Sequence, residues 1–194
     1  MARYSTAHKG ETRERILRAA ERVMKDRGIK SATVEDVMRE AGLTVGGFYS
    51  HFPSKEALAQ ESLIAGVERS FERLTAGLES LDDRAFVRAL MHRYLQQVED
   101  ADLAHACPMT LLLPEVARAD DAFRLAFASR TAKLIASVAQ RFPGADEAAK
   151  RATAVATFAA LAGAVAFARA AATPRARRRI AEATERLLAD ALHL

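Results

Sequence analysis

Thr33–Lys55 reads TVEDVMREAGLTVGGFYSHFPSK, and the order of its capping, apolar and glycine positions decides the fold class. Thr33 followed by Asp36 has the spacing of a capping box, in which the hydroxyl accepts a backbone N–H of the first helical turn. Val34, Val37, Met38 and Ala41 then recur at helical spacing and give one apolar face. Gly42 is placed to leave that helix in a left-handed conformation, which costs glycine little. Leu43 fills the corner, and Thr44 is the expected cap of a second short helix reaching about His51. Phe48 and Phe52 form its buried side, which leaves Val45, Gly46, Gly47, Tyr49, Ser50 and His51 on its outer sides. Pro53 and Ser54 stop this helix and start the next. Two short helices joined by a glycine-containing tight turn are a helix-turn-helix, whose second helix enters the DNA major groove.

Working outward, the match becomes specific. A preceding amphipathic helix, Thr33, Val37, Ala41, Gly42, Gly47, the run Phe48-Tyr49-Ser50-His51-Phe52, Lys55 and the pair Ala57-Leu58 together resemble the amino-terminal domain of the TetR family of transcriptional regulators. The resemblance implies an all-α protein with a three-helix helix-turn-helix domain over 1–55. A six-helix domain over 56–194 would sense a ligand and dimerise. It also implies a homodimer bound to a near-palindromic operator in double-stranded DNA. A small-molecule or reactive effector would tilt the long fourth helix and separate the two recognition helices.

Composition and charge agree. The chain has 194 residues, half of them hydrophobic, with no Trp and few Gly or Pro, which favours helices. Residues 1–55 hold 11 Lys/Arg against 7 Asp/Glu, whereas 56–194 hold 18 of each, so the net +4 lies on the candidate DNA-binding part. Phosphate attraction requires such a bias, although a solvated basic surface would show it too. One cysteine excludes an intrachain disulfide framework and a Cys-rich zinc site. No leading segment has a basic start followed by an apolar core, so no export signal is expected. The longest uncharged run, Ala152 to Ala168, has 17 residues, short of the roughly 20 a membrane span needs. The expectation is a cytoplasmic protein without membrane contact.

Along the chain, residues 1–8 read first as a loose, solvated tail, the alternative being an arm whose Arg3, with Lys9 and Arg13 beyond it, touches phosphate or a minor groove. A helix from about Glu11 to Arg27 backs the motif and ends at Gly28. Further helices are expected from Ser54 to about Leu81, from Asp82 or Asp83 to about Ala101, and from Pro108 onward, where Pro114 should kink or divide the segment. Three more should run from Asp120 or Asp121 to about Phe142, from Asp146 to about Ala172, and from Pro174 to about Leu192. That makes nine helices, with no strand pattern and no repeat.

No phosphate loop, nucleophile elbow or His-Glu-x-x-His stands in the chain, so neither an enzyme nor a cofactor is expected. His8, His92, His105 and His193 are scattered and read as surface or capping residues. Tyr49, His51 and Lys55 are assigned to phosphates. Base edges fall to Val45, Gly46 and Gly47, helped by Glu35, with Thr33 and Thr44 at the helix starts. Tyr94, Met91, Leu112, Phe127 and Phe158 are candidate lining for a pocket in the second domain. Cys107, followed by Pro108, resembles a subset of the family whose cysteine here reacts with oxidants or electrophiles. Arg169 stands where that subset can carry a lysine, and a packing role for Cys107 is the competing reading. Ala159, Ala162, Gly163 and Ala166 on one long helix, with Ile180, Leu187 and Leu188 on the last, are the candidate dimer interface implied by the resemblance. The alternative is a helical ligand-binding or protein-interaction module without sequence-specific DNA binding.

Overall fold

The computed structural model of the chain describes residues 2–99 and 106–194, the first six of them by backbone alone. The helices are α1 (Ala2–Arg27), α2 (Val34–Glu40), a 3₁₀ recognition helix (Val45–Ser50), α3 (Lys55–Thr75), α4 (Asp83–Leu95), α5 (Pro108–Val116), α6 (Asp121–Ala139), α7 (Glu147–Arg169) and α8 (Pro174–Ala191). A 3₁₀ turn, Gln96–Val98, prolongs α4. The described residues contain these nine helices and no strand.

The starts are set by side-chain oxygens. Thr33, Ser54, Asp82, Asp120, Asp146 and Thr173 each accept a backbone N–H from the residue three further on, at 2.8–3.2 Å. Each such cap is worth about 1 kcal/mol.

The ends depart further from expectation. α1 begins at Ala2, where a loose arm was expected, because a single glycine, Gly10, costs a helix only about 1 kcal/mol. α3 stops at Thr75 rather than near Leu81. Gly77 turns the chain at φ +72°, and Arg93 Nη1 takes up the carbonyls of Leu74 and Ala76. Leu78 is still buried, so the apolar rhythm that suggested more helix comes from a turn folded back onto the core. Pro114 lies inside α5 without dividing it. The Asp82 helix gives way to the 3₁₀ turn after Leu95, and its expected end at Ala101, like His105, lies outside the described residues.

Two apolar clusters are joined by α3. The first gathers Ile16, Met24, Val37, Met38, Phe48, Phe52, Leu58 and Leu63, and extends to Leu112, Val116, Phe123 and Phe127. The second holds Leu78, Phe86, Leu90, Met91, Tyr94, Phe142, Phe158 and Leu161. Fully burying each large side chain contributes about 1.5–3 kcal/mol. α7 is long and apolar enough to cross a membrane by composition, but it is packed between α6 and α8 with Ala154, Phe158, Leu161 and Val165 buried. It is a core helix.

Candidate nucleic-acid interface and interior cavity

The capping box that begins the motif is complete: the Asp36 N–H donates to Thr33 Oγ1 at 3.1 Å, and the Thr33 N–H donates back to Asp36 at 3.4 Å. Gly42 adopts φ +65°, and Arg15 Nη2 donates to the Ala41 carbonyl at 2.7 Å, closing the corner. The recognition helix that follows is 3₁₀ rather than α, and Thr44 stands at its start without a side-chain capping bond. Val-Gly-Gly explains both: two glycines lower the helical preference of the first turn, and tighter i→i+3 bonding suits a short piece. Three residues per turn stack Gly46 over Tyr49 and Gly47 over Ser50. Phe48 anchors the helix, fully buried, with Tyr49 edge-on at 5.1 Å and Phe52 stacked at 6.0 Å. Arg13 lies over the Phe52 ring at 4.6 Å and pairs with Glu61.

Most of the candidate DNA contacts are solvent-exposed. Tyr49 is 72% exposed and Val45 40%, and Glu35, Thr33, Thr44 and Gly46 are exposed too, with Gly47 half-buried. His51 is half-buried, and its Nδ1 has no partner among the described residues. Burial, then the nearby charges of Lys9 and Arg13, hold its imidazole below the ordinary histidine pKa. Lys55 is used differently from a free phosphate clamp: its Nζ donates to the carbonyls of Lys30 and Ala32 at 3.0 and 2.8 Å. One N–H of the ammonium remains for an outside partner. The same loop is gripped from the other side, where Glu115 of α5 accepts the Lys30 N–H at 3.0 Å beneath Gly28, which turns at φ +84°. Neither Glu115 nor the carbonyl-binding role of Lys55 announces itself in the sequence, because both partners are distant along the chain.

Apart from its chain neighbours and its own helix backbone, no atom of the described residues lies within 4 Å of where a Cβ of residue 46 would lie, and the φ of Gly46 is not positive. Nothing inside the molecule demands glycine there. Gly46→Ala is expected to stabilise the free protein by about 0.5–1 kcal/mol and to weaken DNA binding by blocking close approach. Urea unfolding and operator titration read the two effects, and unchanged DNA affinity would place Gly46 off the interface.

A cavity of about 250 Å³ lies between α3, α4, α5, α6 and α7. Of the candidate pocket residues, Tyr94, Cys107 and Phe158 line it. Met91 is sealed in the second cluster, and Leu112 and Phe127 belong to the first. Arg169 donates to the Gln97 carbonyl at 3.1 Å and is not part of the lining. Cys107 is 5% exposed, and burial pushes its thiol above the ordinary range, so the thiolate that attacks oxidants is disfavoured at neutral pH.

On the far side, Ala159, Gly163 and Ala166 are exposed on α7 with Phe167, and Ala162 is half-buried. They flank a second apolar groove shared with Leu113 and Val155. On α8, Leu187 points outward at 69% exposure, while Ile180 and Leu188 turn partly into the second cluster.

Residues 16–61 match the model of the bacterial regulatory proteins, tetR family. The chain is 30% identical over 122 residues to the uncharacterized HTH-type transcriptional regulator TtgW of Pseudomonas putida, covering 54% of this chain and 89% of that one. It is 33% identical over 107 residues to the HTH-type transcriptional repressor KstR2 of Mycolicibacterium smegmatis, covering 50% of this chain. The chain spans about half the length of that relative, 52%, and 56% of a further one. In fold it is similar to the reduced form of NemR from E. coli, with a TM-score of 0.74 at 22% identity over 91% of this chain and 96% of that one.

Proposed function

Because this chain belongs to the TetR family of transcriptional regulators, we propose that it is a cytoplasmic, homodimeric repressor that binds a near-palindromic operator and is released by a small molecule in the interior cavity. The observation that carries the reading is α3: its first residue, Lys55, holds the loop ahead of the helix-turn-helix, and Phe71 and Leu74 further along it wall the cavity. A ligand that prefers a shifted α3 lowers DNA affinity through its differential affinity for the two states. We set the functional division at 1–55 and 56–194. Tyr49, His51 and the remaining N–H of Lys55 hold phosphates, while Val45, Gly46, Gly47 and Glu35 face base edges, with Val45 suited to a thymine methyl. Two recognition helices meet successive major grooves when the half-sites lie about 34–36 Å apart.

Selection of bound sequences from a random DNA pool tests this. A near-palindromic site is expected, with affinity falling steeply with salt; salt-insensitive or sequence-independent binding favours the protein-interaction module instead. Lys55→Ala should lower affinity about equally for all sequences and flatten the salt slope by roughly one unit. A change in the preferred sequence would move Lys55 from phosphates to bases.

The buried thiol supports a non-covalent signal over an oxidant. Native protein is expected to react slowly with iodoacetamide at pH 7.5, and Cys107→Ser to keep its response to peroxide unchanged from wild type. Fast labelling together with loss of the peroxide response in Cys107→Ser restores the electrophile-sensing reading.

A further inference from the structure

The interior cavity is lopsided in charge. Phe71, Leu134, Ile135 and Phe158 make an apolar wall, and Arg73 and Arg93 stand in the lining with no carboxylate among the described lining residues. Both arginines are held in place, Arg73 by Ser70 Oγ at 2.9 Å and Arg93 by the carbonyls that end α3. Arg73 uses only Nη2 for this and Arg93 only Nη1, so most of each guanidinium's five N–H donors stay available. Neither forms an ion pair among the described residues. In the same lining the Tyr94 hydroxyl, on a residue only 2% exposed, faces the Cys107 thiol and makes no stronger hydrogen bond among the described residues. A thiol is a weak hydrogen-bond partner, and a ligand oxygen would serve this buried hydroxyl better.

We propose that the cavity takes a small amphipathic anion: a carboxylate on an aromatic or medium-length aliphatic body, its charge paired with Arg73 and Arg93 and a second polar atom meeting the Tyr94 hydroxyl. Guanidinium forks match carboxylates in geometry as well as charge. At about 250 Å³ the cavity lies below the roughly 300–1,000 Å³ of drug-sized pockets, so the body is small. A neutral ligand of the same size would forgo the pairing with both guanidinia, and a cationic one would be repelled by them. The inference rests on the regulatory reading only for its consequence, the release of DNA; the binding itself does not depend on it.

The test is calorimetric titration of the purified protein at pH 7.5 with 3-phenylpropionate, 3-(4-hydroxyphenyl)propionate and octanoate, each beside its primary amide. Each acid is expected to bind at least ten-fold tighter than its amide. Arg73→Gln, changed at an exposed side chain, should remove most of that preference and leave amide affinity within about two-fold. Tyr94→Phe should weaken the hydroxylated acid several-fold more than 3-phenylpropionate. Thermal melting of each variant separates lost binding from lost folding. Equal binding of acids and amides, no binding of any probe at millimolar concentration, or an acid preference intact in Arg73→Gln and Arg93→Gln alike overturns the proposal. Acids that bind without loosening operator DNA leave the ligand class standing and overturn the release mechanism.

Discussion

Gly163→Leu is expected to leave the protomer folded and to dissociate the dimer. Apart from its chain neighbours and its own helix backbone, no atom of the described residues lies within 4 Å of the Cβ position of Gly163, and the residue is exposed on α7. Leucine is also a better helix former than glycine by up to about 1 kcal/mol, so the isolated chain gains stability. In the dimer proposed above, packed through α7, the result reverses. Ala159, Gly163 and Ala166 leave α7 with a low profile, along which a second helix can lie close. A leucine there overpacks at roughly 1–3 kcal/mol per site, and two-fold symmetry applies the penalty twice. Dimer affinity should fall by about thirty-fold or more, and operator affinity with it. Sedimentation at micromolar concentration reads the first effect. A monomeric wild type, or a leucine variant that dimerises normally, would remove α7 from the interface.

The second large effect is on stability. Glu21 of α1 pairs with Lys25 at 2.6 Å and with Arg69 of α3, and Arg69 also reaches Glu14 at 3.4 Å. The Lys25 side chain is only 1% exposed. This network fastens the helix behind the DNA-binding motif to α3 and fits only because residue 66 is glycine. A Cβ there would lie 2.8 Å from Glu21 Cδ and 2.8 Å from Pro108 Cγ. Glu21→Ala removes a buried carboxylate from a buried ammonium and should cost on the order of 3 kcal/mol at pH 7. The effect has a defined pH dependence. Burial alone would raise the Glu21 pKa, but hydrogen bonds and charge from Lys25 and Arg69 outweigh it and hold the carboxyl below the ordinary glutamate range. Its contribution is therefore present above the unfolded-state pKa and is lost as pH falls through the lower folded value. Wild type and Glu21→Gln should differ by a constant amount above about pH 5 and converge as pH falls below it through the folded-state value. Curves that stay parallel down into that acid range would show that the carboxylate charge contributes nothing.

Much of the fold was legible because helix starts are local chemistry. Thr33, Ser54, Asp82, Asp120, Asp146 and Thr173 all cap from within three residues, a distance over which sequence spacing is geometry. Helix ends were read less well. Leu78 and Phe142 keep an apolar rhythm past the last helical residue because burial, not helicity, dictates them. The recognition helix was placed correctly, but its 3₁₀ winding follows from two adjacent glycines whose effect on pitch is not a periodicity. The exposed surface of the candidate site was foreseeable from Phe48 and Phe52 as anchors. Its supports were not. Glu115 with Lys30, Lys55 with Ala32 and Arg93 with Ala76 join residues that only tertiary folding brings together. Gly66, a glycine inside a good helix, is a local sign of the close approach of Glu21 and Pro108 but says nothing of these three contacts.

α3 contributes Leu58 and Leu63 to one apolar cluster and Leu74 to the other, with no break between them. Neither cluster can be dismantled while the other keeps its share of that helix intact. Regulator and reader should therefore melt together: calorimetry is expected to give one transition whose van't Hoff and calorimetric enthalpies agree. Severing the chain after Lys55 would not yield a free-standing DNA-binding module, since the fragment loses Leu58, Ala59 and Leu63 from beneath Phe48 and Phe52. A ligand that tightens the cavity would then raise the melting temperature of the motif it silences, so that heat resistance and DNA affinity move in opposite directions along the same titration.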